Sequence, residues 1–579
     1  MKNKESLIIF IIAIIIVSVL RMLLVYGMPI VANVELGIDD MLMIDITDNL
    51  IQGNWVGNYS DVVISKGLTF PLLLAVCYLL KVDYITMMTV LYIIACLILT
   101  YVISKKIKNK LVLFVFYTTT LFVPIMYTYQ VMQRVYRNAI VPSFAIMIIA
   151  GYLYMFFSRN EKGFKKKIFA AIGTGIALAL FWYTREDSIW MLPFIIFMSF
   201  ALIVSVIFKN KRINKEFFKV LLILIIPIAI TFAYRNVLCY QNYKHFGVYT
   251  VYNNEEYNKA MKSLKKVKKY HYYDNIDFTM EKLRRVSEVT CLGTIYPRLA
   301  ELVYGYSLID STPLDGEVAN GWFPWAIKGA LSEAGYYKKA ENINAFSKTL
   351  HMEIEAALAN GTLEKEDVKS DKITSVKKVL KSTIDVFKAL QSYYDIAFED
   401  RKLEYKEGYE KYYQRYAKYT GNKFLLINPE TQEDVYHFDN MENYAETTVA
   451  RVNIINKLFD IYKIISNIML ALGGCLYVIY SLIIFIELIK KKFNNLEMWV
   501  AISGILGAML TLIFGIAYET AFNANVITAM YLSGVYPLMI IFGIVMIYES
   551  INITIKYIKN KKQKKLVDKI EIKEEINNS

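Results

Sequence analysis

Two adjacent carboxylates, Asp39 and Asp40, open a stretch that reads GIDDMLMIDITDNLIQGNWVGNYSDVVISKGLTFPL, residues 37–72. It lies between the first two apolar runs of the chain. An acidic pair at a membrane surface is costly to keep without a partner or a task. One task is to take the proton of an attacking hydroxyl while cations or a metal hold a phosphate leaving group. The cations for that chemistry stand in separate loops. Lys66 closes the opening stretch, Arg134 and Arg137 lie in QRVYRNAIVPS, Arg185 lies in YTREDSIW, and Arg235 falls near the end of a later apolar run. Arginine suits forked contacts with phosphate and lysine supplies a point charge. Glu186 and Asp187 follow Arg185 directly, where they either orient it or ligate a divalent cation such as magnesium or manganese. Plainer readings exist for each residue taken alone. One of the two aspartates caps the helix that follows, each cation snorkels at an interface, and Thr184 with Asp187 caps the next span.

The elements that must hold these residues are helical. Between Met41 and Ile51, Leu42, Met43, Ile46 and Leu50 share one face, and Asp45, Asp48, Asn49 and Gln52 the other. That pattern predicts an interfacial helix lying on the membrane, apolar side down. Of the 579 residues, 56% are hydrophobic and 20% charged, and the mean hydropathy is +0.34. The apolar residues fall in blocks of bilayer length. Eleven spans are predicted, at about 6–26, 68–82, 84–103, 111–127, 139–157, 168–183, 189–208, 217–238, 462–488, 497–518 and 526–549. The first is read as a membrane helix rather than a signal peptide, because it is too long and lacks a small-residue cleavage site.

The net charge of +14 collects in short basic clusters between spans, such as KKIKNK, EKGFKKK and KNKRINK. This is the positive-inside pattern and removes the argument for a nucleic-acid partner. Two full crossings between Gly67 and Lys105 would put KKIKNK on the wrong side, so either 68–82 is a short helix that does not cross fully, the preferred reading, or the positive-inside rule fails once here. The five cysteines form no CxxC pair and the four histidines no HExxH motif, which argues against a zinc site or a disulfide framework. No internal repeat suggests the inverted halves of many transporters. The expected organisation is an N-terminal membrane module 1–238 with its first external loop at 27–67, and a mostly helical extracytoplasmic domain 239–461. Membrane helices 462–555 and a charged cytoplasmic tail 556–579 follow. In the second region, 239–461, Gly361 follows Asn360 as a helix C-cap. GWFPWAIKGALSEAGYY (321–337) is its densest aromatic patch, suited to packing the domain onto the bundle or to binding.

GIDDMLMIDITDNLIQGNW…SKGLTFPLLLA resembles the first external loop of the polyprenyl-phosphate-dependent glycosyltransferases of the GT-C superfamily, which includes protein O-mannosyltransferases and lipid A aminoarabinose transferases. Asp39-Asp40 stands where that group usually has Asp-Glu. Gly53-Asn54-Trp55 matches the end of its interfacial helix, and Lys66-Gly67 its lysine step, although Leu68 replaces the usual proline. QRVYRNAIVPS and YTREDSIWMLP are similar to later loops of bacterial members. YLSGVYPL (531–538) is similar to the last-span pattern but lacks its preceding arginine. The resemblance covers the first 240 residues best. It implies an all-α, GT-C-like bundle in the cell membrane with its active site on the extracytoplasmic face. It implies sugar transfer, with inversion at C1, from a polyprenyl-phosphate donor to an envelope polymer, lipid or protein. Asp39 would be base or metal ligand, with Asp40 second, and Lys66, Arg134, Arg137 and Arg185 would face the donor phosphate. Members differ in metal dependence, so a divalent cation stays open. The alternatives are a lipid-linked-sugar flippase or transporter without catalysis, and an envelope scaffold.

Overall fold

The computed structural model describes residues 2–26, 28, 30, 37–210, 213–252, 255–270, 276–309, 316–366, 372–392, 403–404, 408–421, 426–427, 444–491, 493, 495–523 and 526–577. The start of the expected first external loop (31–36) and most of 393–443 lie outside these residues. In chain order the helices are α1 (Lys2–Val25), α2 (Leu42–Gln52), α3 (Thr69–Leu80), α4 (Tyr84–Ile103), α5 (Lys110–Leu121), α6 (Val141–Phe157), α7 (Phe164–Trp182), α8 (Leu192–Asn210) and α9 (Lys215–Phe246). There follow α10 (Glu255–Lys266), α11 (Met280–Val289), α12 (Tyr296–Ile309), α13 (Phe323–Glu333), α14 (Ala340–Ala359), α15 (Lys372–Gln391) and α16 (Glu410–Thr420). The last four are α17 (Tyr444–Ile489), α18 (Leu496–Phe522), α19 (Ala529–Leu532) and α20 (Val535–Asn577). The described strands are β1 (Leu403–Glu404) and β2 (Leu426–Ile427), a short parallel pair.

Eight of these helices hold segments long and apolar enough to cross a bilayer, namely α1, α4, α6, α8, α9, α17, α18 and α20. The chain is therefore an all-α polytopic membrane protein. The shorter apolar helices α3 and α5, and α7 with its three leading lysines Lys165–Lys167, occupy the other positions where spans are expected.

Ion pairs sort the loops between two ends of the bundle. At one end Lys105 pairs with Glu161 at 2.9 Å, and Glu497 receives both Lys106 and Arg159. At the other, Arg134 meets Asp40, Arg137 meets Glu186, and the Met530 amide donates to Gln130. Helix α3 begins and ends at this second end. Gly67, just before it, lies against the Tyr183 carbonyl. At its far end Tyr78 packs edge-on to Tyr419 at 5.3 Å, Gly421 abuts Asp83, and Tyr84 donates its hydroxyl proton to the Arg134 carbonyl at 3.2 Å. The helix turns back instead of crossing, which puts KKIKNK with the other basic loops.

Two expectations are corrected. The boundaries at 238/239 and 461/462 fall inside α9 and α17, because hydropathy marks where lipid begins and not where a helix ends. The segment 239–461 also divides. Helices α10 to α14 enclose their own core, with Phe278 stacked on Phe323 at 4.0 Å. Helices α15 and α16 instead bury Val386, Leu390, Tyr413 and Tyr416 in the core of the bundle. Secondly, α2 does not rest its apolar face on lipid. Leu42, Met43, Ile44 and Ile46 are buried in the core of the bundle, and α16 lies on the polar face, with Arg415 2.7 Å from Asp45 and Tyr419 donating to Asp48. The expected C-cap is present, with Asn360 ending α14 and Gly361 at φ 79°.

Candidate functional site

The site assembles where three loops meet at the α3 end of the bundle. A π-helical turn, Gly37–Met41, carries Asp39 and Asp40 into α2. Met41 stands at the N-cap of α2, with no side-chain capping bond, so neither aspartate is the cap. Instead the two share Arg134 unequally, with Asp40 in a close fork and Asp39 Oδ2 3.4 Å from Nη2. Asp40 is fully buried and receives Arg134 in a fork, Nε to Oδ1 at 2.9 Å and Nη2 to Oδ2 at 2.5 Å. Asp39 keeps 31% of its side chain exposed, and its Oδ1 lies 2.8 Å from Lys66 Nζ. Burial pushes the Asp40 carboxyl up to about 6, against the pull of Arg134, so the fork is ionic at neutral pH. Burial also pushes on Asp39, but Lys66, Arg134 and Tyr136 together hold its carboxyl below the ordinary range.

Tyr136 links the groups. Its hydroxyl donates to Asp39 Oδ1 at 2.9 Å and accepts from Arg137 Nε at 3.1 Å. Its ring lies under both guanidinium groups, 4.4 Å from that of Arg134 and 5.3 Å from that of Arg137. Arg137 then reaches both oxygens of Glu186 at 2.8 Å. Arg185 forms a neighbouring set, with Nε 2.8 Å from Asp187 Oδ1, Nη1 donating to Asn138, and its guanidinium 4.8 Å from the Tyr531 ring. The YTREDS loop therefore does not cap a helix through Thr184 or Asp187. Thr184 donates back to the Leu180 carbonyl, and Asp187, at the N-cap of the short helix Ser188–Met191, makes no capping bond.

Lys66 reaches Asp39 because Gly67 lets two backbones touch. A Cβ at Gly67 would lie 2.2 Å from the Tyr183 oxygen and 2.5 Å from the Thr184 oxygen. This contact draws the Lys66 loop onto the YTREDS loop. Helix α13 closes one side. Lys66 Nζ is 5.4 Å from the Trp325 ring of α13, and the buried Lys328 is 5.3 Å from the same ring. Burial pulls the Lys328 ammonium down to about 8.

The structure thus brings Asp39, Asp40, Lys66, Arg134, Arg137 and Glu186 into one connected set, with Arg185 and Asp187 beside it. Arg235, on α9, is within ion-pair distance of none of these carboxylates among the described residues. Glu186 and Asp187 each close on an arginine, which fits the orienting role. Among the described residues no group of three or more His, Cys, Asp or Glu side chains gathers as a metal site. Each site carboxylate already faces a cation, so the donor set does not suit a divalent ion. Sequence reasoning missed Tyr136, Asn138 and Lys328. The signal for Tyr136 was its place between two arginines in one loop. Trp325 lay in a patch noted only for its aromatic density. No protein-family model, curated protein or solved structure matches this chain.

Proposed function

We propose that this end of the bundle transfers a sugar from a polyprenyl-phosphate donor to a hydroxyl of an envelope acceptor on the extracytoplasmic face. The observation that carries the reading is the 2.8 Å pair between Lys66 and the half-buried Asp39. A carboxylate in such a pair is a weak base. A donor phosphate competes with Asp39 for Lys66, and drawing Lys66 away raises the basicity of Asp39 as the donor arrives. The acceptor oxygen then forms its bond to C1 while the bond from C1 to the phosphate oxygen breaks. The acceptor proton passes to Asp39, and polyprenyl phosphate leaves as an anion beside Lys66 and the arginines. Arg137 and Arg185 are buried, while their partners Glu186 and Asp187 keep 43% and 49% of their side chains exposed. Those carboxylates can swing aside and yield an arginine to phosphate.

The test is turnover of radiolabelled polyprenyl-phosphate monosaccharides by purified protein in nanodiscs supplied with envelope extract. Label is expected to enter the acceptor fraction with wild-type protein and not with Asp39→Asn. Full transfer by that variant, or lipid flipping in proteoliposomes without any sugar transfer, would overturn the reading.

A further inference from the structure

At the opposite end of the bundle a second polar cavity, about 420 Å³, opens between the turn after α6, the end of α8 and the start of α9. Helix α6 separates it from Arg137 by 17 residues, roughly 25 Å at helical rise. The cavity belongs to none of the chemistry described above.

Five cations and two carboxylates line it, but most of the negative charge is engaged. Glu161 pairs with Lys105, outside the cavity, and Glu216 with Lys219 at 2.6 Å. Arg159 turns away to Glu497 and to the Phe156 carbonyl. Lys162, Lys167 and Lys209 remain, and among the described residues none has a carboxylate within ion-pair distance. Lys209 donates to the Asn160 side chain at 2.8 Å, and Lys167 to the Arg159 carbonyl at 2.9 Å. Lys167 is 8% exposed. A positive-inside bias accounts for lysines near a helix end. It does not account for a concave site, or for a largely buried lysine whose ammonium donates to a neutral carbonyl and not to a carboxylate. The wall below the lysines is apolar, formed by the buried Val206, Val220 and Ile223.

We propose that this cavity binds a phosphate-bearing anion, held by Lys162, Lys167 and Lys209 with its apolar remainder against Val206, Val220 and Ile223. A membrane phospholipid headgroup and a soluble phosphate share that chemistry.

The two sources separate in a melting experiment on the full chain in neutral detergent. Phosphatidylglycerol, phosphatidylcholine, inorganic phosphate and sodium chloride at matched ionic strength are each titrated. A rise in melting temperature with phosphatidylglycerol alone identifies a lipid headgroup, and a rise with inorganic phosphate as well identifies a soluble anion. In either case Lys162→Gln/Lys209→Gln, which changes two exposed side chains, is expected to raise the half-maximal concentration by roughly fivefold per lysine. Lys165→Gln/Lys166→Gln removes equal charge from outside the cavity and is expected to leave it unchanged. No response to either anion, an equal response to phosphatidylcholine or chloride, an unshifted Lys162→Gln/Lys209→Gln, or an equal shift in the control pair would overturn the proposal. Lys167→Met provides a second reading of the buried position and is expected to weaken the response by a similar factor.

Discussion

Arg134 holds Asp40 through both carboxylate oxygens and reaches Asp39 at 3.4 Å, which leaves Asp39 as the more exposed carboxylate of the two. Adjacent residues of one type therefore have different expected phenotypes. Asp40→Ala removes both acceptors of the fork, leaves the buried Arg134 guanidinium to its longer contact with Asp39, and is expected to cost about 3–5 kcal/mol of stability. Asp39→Asn is expected to melt near wild type and to lose about 10²–10⁴-fold in transfer rate. Scanning fluorimetry and the transfer assay distinguish the two. A large melting loss in Asp39→Asn would reverse the assignment.

Acid should act through Asp40. Its carboxyl titrates at about 6 in the folded chain against an ordinary value of 3.8. Because the folded value is raised, its contribution to stability is fullest below 3.8 and is lost as pH rises through about 6. Turnover follows the opposite course. Below about pH 6 Arg134 loses its ionic partner, so the rate is expected to fall with an acid midpoint near 6. Asp39 stays ionised through that window because its carboxyl is held low. A midpoint below the ordinary carboxylate value would assign the limb to Asp39.

Gly67→Ala tests the close approach that brings Lys66 to the site. Its Cβ would meet two carbonyl oxygens at 2.2 and 2.5 Å. A destabilisation of about 1–3 kcal/mol is expected, together with loss of transfer. Gly53→Ala is the contrast. At φ 79° it meets nothing within 4 Å, so only backbone strain of about 1–2 kcal/mol is expected, with activity retained in the folded fraction.

The α13 face is tested at two positions. Trp325→Ala removes the ring between Lys66 and Lys328 and is expected to reduce transfer about tenfold, with rescue by Trp325→Phe. Lys328 releases its proton at about 8 when folded and at 10.5 ordinarily. Between those values the unfolded chain binds more protons, so stability is expected to rise with pH. Lys328→Met should flatten that rise in melting curves taken from about pH 8 to 10.5.

Much of this site was legible in residue order. Asp39, Lys66 and the three arginines are loop residues, and loops between spans can be assigned to one end of a bundle by counting crossings. What the order of residues could not convey was partner choice. Which aspartate takes Arg134 depends on where the π-helical turn aims each side chain, and the role of Tyr136 depends on two loops meeting. Helix α3 looked marginal because its apolar length is marginal, and only its end contacts with Tyr183 and Tyr419 reveal that it turns back. The fate of α2 was hidden because an apolar stripe reads alike whether lipid or the protein's own core covers it.

The fork, the Lys66 pair and the two arginine–carboxylate pairs contain four cations and four carboxylates. The cluster is thus electroneutral before any donor arrives. A phosphate brings surplus negative charge beside the buried Asp40 and arginines, where it is costly to leave unbalanced. The surplus is most readily relieved by a proton from solvent, and Asp40 is the site carboxylate closest to accepting one. Donor binding should therefore take up protons, measurable as alkalinisation of a weakly buffered solution. Affinity for the donor would then tighten on the same acid side where turnover slows.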